Sequence, residues 1–216
     1  EIKIFLALDP DFVETRFGFL PHIKDAQAFN RAAAYGSDNW KALAVDGVAD
    51  IIAANGSQPV FAYRWDWDEG GKNWLIDYSH LLGAAHGLEV AYIFGDFDNG
   101  ILVPGLYNDD NIPGRDLLST QMRSYWSEFA RSGAPGRGRN GLLPQWQPWN
   151  NSGVNLMLLD TASGGGLRMV YEPMTVAMLK QRLATETTMP DLRTRCELFV
   201  RLFLHANYGD DVWDEA

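Results

Sequence analysis

The stretch Leu81-Leu82-Gly83-Ala84-Ala85-His86-Gly87-Leu88-Glu89-Val90-Ala91-Tyr92-Ile93-Phe94-Gly95 sets one histidine among small residues. Glycine and alanine around His86 let another segment of backbone approach it closely. Upstream, Val60-Phe61-Ala62-Tyr63-Arg64-Trp65-Asp66-Trp67 is rich in aromatic and β-branched residues and is bounded by Pro59 and Gly70-Gly71, which makes it the clearest strand in the chain. A loop just past a strand end is where α/β sheets gather their chemistry. On the residues alone, His86 fits either a packed or surface histidine or a catalytic one, whereas His22, His80 and His205 read as structural.

Working outward, Ile2 to Leu8 reads as a short element that stops at Asp9-Pro10. Between Asp25 and Asn55, Ala26, Phe29, Ala33 and then Leu43, Gly47, Ile51 recur three or four apart, which predicts two helices split near Gly36-Ser37-Asp38. From Asp116 to Arg131 the apolar residues Leu118, Met122, Trp126 and Phe129 mark one face of an amphipathic helix, with Gly133 as its stop. The glycine-rich segment 133–141 reads as a solvated loop. Leu156–Leu159 and Leu167–Tyr171, flanking Ser163-Gly164-Gly165-Gly166, predict a hairpin or paired edge strands. A last helix is expected from Asp191 to about His205.

At 216 residues and 24.2 kDa the chain has room for one domain, at most two small ones. With 46% hydrophobic residues and eight Trp it lies far from the composition of disordered proteins. A formal net charge of −10 and the absence of a basic stripe argue against nucleic acid as a partner. The single cysteine, Cys196, excludes an internal disulfide and a cysteine-based zinc cluster. No run of about 18 apolar residues suggests a membrane span, and no basic region followed by an apolar stretch suggests a signal peptide. The first residue is Glu1 rather than Met, which points to a processed chain or one cut from something longer.

Two tempting motifs fail on spacing. Asp96-Phe97-Asp98-Asn99-Gly100 opens like a calcium loop, but its glycine stands one position early and Tyr107 occupies the place of the closing Glu. The glycine-rich turns near Arg137 and Ser163 lack the Lys and Ser or Thr of a phosphate-binding loop. No cofactor or metal is therefore expected. The alternation of Trp65 and Trp67 with Asp66 and Asp68 is what one buried and one solvated face would produce.

The decisive signal is a likeness. Ala85-His86-Gly87-Leu88-Glu89 with Ile93-Phe94-Gly95 resembles the catalytic-histidine segment of the type-B carboxylesterase/lipase family, the cholinesterase-like branch of the α/β-hydrolases. Val60-Phe61-Ala62-Tyr63 resembles the family's strand ahead of that histidine, and Tyr125 to Pro135 its tryptophan-containing helix and Gly-x-Pro turn. Trp146 with Pro148, and Arg195-Cys196 in the last helix, extend the resemblance in order over essentially the whole chain. It implies an α/β fold: the C-terminal part of an α/β-hydrolase, mostly helical, with a few strands of an incomplete central sheet.

By the same resemblance, Glu1-Ile2-Lys3-Ile4-Phe5 matches the segment that carries the triad acid, so Glu1 is the expected acid and His86 the general base. The order acid then histidine agrees with that triad. None of the nine serines lies in a G-x-S-x-G motif, and no oxyanion segment rich in glycine after a histidine is present. Residues 1–216 are thus expected to form the C-terminal portion of one catalytic domain, with the nucleophile-bearing portion of that domain absent and required as a partner. The implied activity is hydrolysis of a small-molecule carboxylic ester through an acyl-enzyme in the complete protein. The alternative is a catalytically silent cholinesterase-like binding or adhesion module. Glu89 is expected to cap or brace its helix, and Trp65, Trp67, Trp74 and Phe97 to be available for a substrate pocket. If residues 1–216 are such a portion, the strand 60–67 should lie at an open sheet edge and Glu1 should be loosely held.

Overall fold

The computed structural model describes residues 1–56, 58–97, 105–150, 153–189 and 191–204. His205 and the second half of the Asp96 to Gly100 run lie outside them. Eight α-helices and five strands are found among the described residues: α1 (Lys3–Ala7), β1 (Val13–Arg16), β2 (Leu20–Ile23), α2 (Ala26–Trp40), α3 (Gly47–Asn55), β3 (Ala62–Trp65), α4 (Tyr78–Leu81), α5 (Glu89–Phe94), α6 (Ile112–Ser132), β4 (Leu156–Leu159), β5 (Arg168–Val170), α7 (Val176–Thr185) and α8 (Leu192–Phe199). The class is α/β, mostly helical, with few strands.

β4 is the centre of a three-stranded sheet. Its continuous run Leu-Met-Leu-Leu is buried at every position, as a strand covered on both faces requires. β3 pairs with it in parallel, Ala62 opposite Leu156 and Trp65 opposite Leu159, and β5 pairs antiparallel, Leu156 opposite Val170. The pleat then divides the core in two. Met157 and Leu159 face the larger cluster, with Trp65, Trp67, Tyr92, Leu118, Met122 and Tyr125. Leu156 and Leu158 face the other way, onto Ala49, Ala62 and Trp149. The open edge expected for the strand at 60–67 is present, since β3 has β4 on one side and no strand on the other among the described residues.

Local chemistry sets the helix ends, and the stop expected at Gly133 is among them. Asp25 caps α2, its Oδ1 accepting from the amides of Gln27 and Ala28 at 2.8 and 3.1 Å. Gly133 ends α6 in the left-handed region, φ +79°, its N–H donating to Phe129 O at 2.8 Å. That helix begins four residues before the apolar stripe suggested, because Pro113 is well suited to a first turn.

Two expectations need correction. The helices do not split at Gly36; α2 runs through it to Trp40, and a π-helical segment, Lys41–Asp46, joins it to α3. Gly36 serves close packing instead, because a Cβ there would stand 2.2 Å from Ile2 Cδ1. A Gly36→Leu variant is expected to lose about 1–3 kcal/mol through overpacking, offset by up to about 1 kcal/mol of helix propensity. Urea unfolding measures it, and a variant as stable as the parent would show that Ile2 simply swings aside. The second correction is the hairpin β1–β2, which the sequence reading did not foresee. Its connection places Phe17 at φ +52° and Gly18 at φ +79°, and a phenylalanine is not a residue that announces such a turn.

Candidate active site

His86 lies in the turn between α4 and α5, one side chain in a segment where almost every neighbour is small. Asp77 starts α4 by accepting from the His80 amide at 3.1 Å. Lys72, then Ser79 and that amide, hold its carboxyl at a pKa of about 2. Downstream, Glu89 in the first turn of α5 reaches back so that its Oε2 accepts from the Gly87 N–H at 2.7 Å. This is the bracing role expected of it. Its other oxygen, Oε1, stands 3.9 Å from His86 Nδ1.

The structure brings Glu1 to His86 through the backbone. The Glu1 nitrogen donates to Ala84 O at 2.6 Å and the His86 N–H donates to Glu1 O at 2.9 Å. Glu1 is therefore not loosely held, contrary to expectation, because two backbone hydrogen bonds fix it against the histidine turn. The Glu1 side chain turns to Lys3, with Oε2 3.2 Å from Nζ. It also lies over Gly83, φ +52°, where a Cβ would meet Oε2 at 2.2 Å. That is the use of the small residues before His86: Gly83 makes room for the acid.

Helix α2 supplies a third wall. The Ile2 N–H donates to Ser37 Oγ at 3.1 Å, and one turn further Trp40 places its indole 4.5 Å from the His86 ring centroid. Phe5 on α1 completes a three-ring cluster, 6.0 Å from Trp40 and 6.4 Å from His86. Neither Trp40 nor Phe5 stood out in the sequence, since the spacing that joins them exists only in the folded chain. Half of the His86 side chain remains exposed.

These residues border a cavity of about 900 Å³. Val45, Val48, Ile52, Phe61 and Tyr63 give it an apolar side, and Glu1, Asp66, Asp68, Glu89 and Asp160 an acidic one. Burial first, and then the charge of Glu1, pushes the Asp68 carboxyl above the ordinary carboxylate range. Burial raises the Tyr63 phenol too, with Glu89 adding to it. Arg64 answers part of this charge by a two-pronged pair with Asp66, at 2.7 and 2.9 Å.

The aromatic residues expected at a pocket separate. Trp65 borders the cavity, but Trp67 is fully buried in the core against Trp65 and Tyr92, Trp74 is 90% exposed, and Phe97 lies under the Arg115 guanidinium at 4.0 Å. His80 packs edge-on against Phe29 at 6.1 Å and His22 sits in β2, and neither lines the cavity. Cys196 is a free, exposed thiol. No group of His, Cys, Asp and Glu suited to a metal ion occurs among the described residues, and none of their helices is long and apolar enough to cross a membrane.

Comparison with known proteins bears on the same stretch. Residues 26–177 match the model of the carboxylesterase family, a span that includes His86 and begins after Glu1. The chain is 31% identical over 121 residues to acetylcholinesterase of Gallus gallus, covering 50% of this chain and 14% of that protein. It is 34% identical over 116 residues to carboxylesterase 4A of Bos taurus, covering 53% of this chain and 18% of that one. The chain thus spans less than a fifth of either relative in the matched stretch. A solved structure of a PNB esterase, 22% identical, aligns over 57% of this chain and 21% of its own with a TM-score of 0.41.

Proposed function

The chain belongs to the carboxylesterase family, whose model matches more than half its length, and from that premise we propose that it supplies the acid and the histidine of a serine carboxylic ester hydrolase. The observation that carries the reading is the pair of backbone hydrogen bonds that set Glu1 beside His86 on the wall of one large cavity. In this reading residues 1–216 are the C-terminal portion of a catalytic domain whose nucleophile serine and oxyanion hole lie outside them. The substrate is a small-molecule carboxylic ester.

His86 takes the proton of the serine hydroxyl as the oxygen attacks the ester carbonyl, and then returns it to the leaving alcohol. Water repeats the sequence on the acyl-enzyme, with His86 again the base. In the assembled site Glu1 exchanges Lys3 for the imidazole, selecting its tautomer and stabilising the imidazolium formed at each transfer. The apolar wall formed by Val45, Val48, Ile52 and Phe61 accepts the hydrocarbon part of the ester, for which burial is favourable.

A serine-reactive phosphonate carrying a fluorescent tag tests this in the complete protein. The expected adduct maps to a serine that is none of the nine in residues 1–216, while the 216-residue chain by itself takes no label and turns over no p-nitrophenyl ester. An adduct on one of those nine, or turnover by the short chain, would overturn the assignment. A complete protein that folds but takes no label would favour the silent binding module.

A further inference from the structure

Phe5 and Trp40 are not part of the acid–histidine pair, yet both make ring contacts with the His86 side chain. The geometry points to Trp40 as a positioning residue that fixes the ring of His86, an inference that rests on His86 being the catalytic base.

An exposed histidine has two free side-chain torsions and several staggered positions, and a base that must face a nucleophile can use few of them. Here Glu89 Oε1 stands 3.9 Å from Nδ1, too long for a hydrogen bond that would set the ring. The Glu1 carboxylate is engaged with Lys3. The contact left to restrict the imidazole is Trp40, at 4.5 Å and tilted by 51°, with Phe5 nearly parallel to His86 on a longer contact of 6.4 Å. Aromatic pairs in this distance range attract beyond the area they bury, enough to favour one rotamer several-fold over its neighbours.

Trp40 is itself well anchored. It is the last residue of α2, and the backbone passes directly into the π-helical segment, a feature that recurs at functional sites. That segment is clamped by Lys41, whose Nζ donates to Asp46 Oδ2 and to Glu172 O, both at 2.6 Å, and by Asp46, whose Oδ2 also accepts from the Met174 N–H at 2.7 Å. One turn before Trp40, Gly36 and Ser37 receive Ile2. A single turn of α2 therefore locates both the segment that bears the acid and the ring of the base, a common reference from which their relative position is set.

A ring that only fills space would be replaceable without changing turnover once stability is matched. A ring that orients the base changes kcat and leaves substrate binding alone, because misplacement of a reacting group lowers the rate without weakening the ground-state complex. The experiment compares Trp40→Phe and Trp40→Leu with the parent in the complete enzyme, reading kcat and KM on a p-nitrophenyl ester. The His86 ring proton shifts are followed by NMR in the same complete protein, and His86→Ala is the control. The expected result is a loss of about 10- to 100-fold in kcat for Trp40→Leu with KM unchanged, most of it restored in Trp40→Phe. In the same variant the upfield displacement that an indole face imposes on the His86 protons disappears. Trp40→Leu with parental kcat, or with His86 protons unmoved in a folded chain, overturns the positioning role. If His86→Ala itself leaves turnover intact, it is the assignment of the base that falls, while the ring shifts still report whether Trp40 holds the imidazole.

Discussion

Replacing His86 with alanine in the complete enzyme is expected to lower kcat for a carboxylic ester by about 10⁴- to 10⁶-fold, with the protein still folded. The size follows from the role: without the base, the serine must lose its proton to water, and loss of a triad member of this kind removes the concerted effect of the whole constellation. Folding is spared because His86 contributes a half-exposed ring to a turn whose backbone bonds do not depend on it. His80→Ala is the matched control. That ring packs on Phe29 and its Nε2 is buried, so its loss lowers the unfolding midpoint and leaves kcat near the parent value. Steady-state kinetics beside thermal unfolding separates the two, and equal losses in kcat would mean that the wrong histidine has been chosen.

Glu1→Gln carries the second large effect, a fall in kcat of about 10³- to 10⁴-fold at nearly unchanged KM. The substitution keeps the size of the side chain and every backbone contact of residue 1, removes the charge that would stabilise the imidazolium and that pairs with Lys3, and replaces one of two acceptor oxygens by an amide donor. Glu89 is the instructive comparison, since its Oε1 is 3.9 Å from His86 Nδ1 while the Glu1 carboxylate is engaged with Lys3. Glu89→Gln retains an oxygen that can accept from the Gly87 N–H, so it should cost less than about tenfold. The reverse ranking, with Glu89→Gln the more severe, would transfer the acid role to Glu89.

How much of this could be read from the letters depends on the range of the interaction. β4 and its antiparallel pairing with β5 were legible in two short apolar runs around a glycine-rich turn, but its central place was not: edge strands were the expectation, and only the fold shows β3 closing its other side. The stop at Gly133 was legible because its chemistry is local. Gly36 misled, since a glycine inside a helical pattern reads as a break until the fold shows Ile2 lying against it. The β1–β2 hairpin was hidden by Phe17 at its turn. At the site, His86 stood out through its small neighbours and Glu1 through the family likeness. Trp40, Phe5, Ser37 and Lys3 did not, because what makes them members is a set of contacts between α1, α2 and the turn at 82–88. The distribution of tryptophans was the least legible of all: Trp67 and Trp74 look alike in sequence, yet one is enclosed and the other 90% exposed.

The two hydrogen bonds of residue 1, one to Ala84 O and one from the His86 N–H, have the form of a single parallel bridge, one rung of sheet between Glu1 and the turn that bears His86. Every atom in that rung belongs to the main chain. The spacing of positions 1 and 86 is consequently independent of which side chains occupy them, so if they are the proposed acid and base, a lineage can lose the glutamate, the histidine or both and still inherit the same frame. Loss of chemistry and loss of structure are uncoupled at this point in the molecule. A descendant that has given up hydrolysis would keep an intact surface to put to other uses, and an inert one could regain a working pair by two changes of side chain with no rebuilding of the backbone.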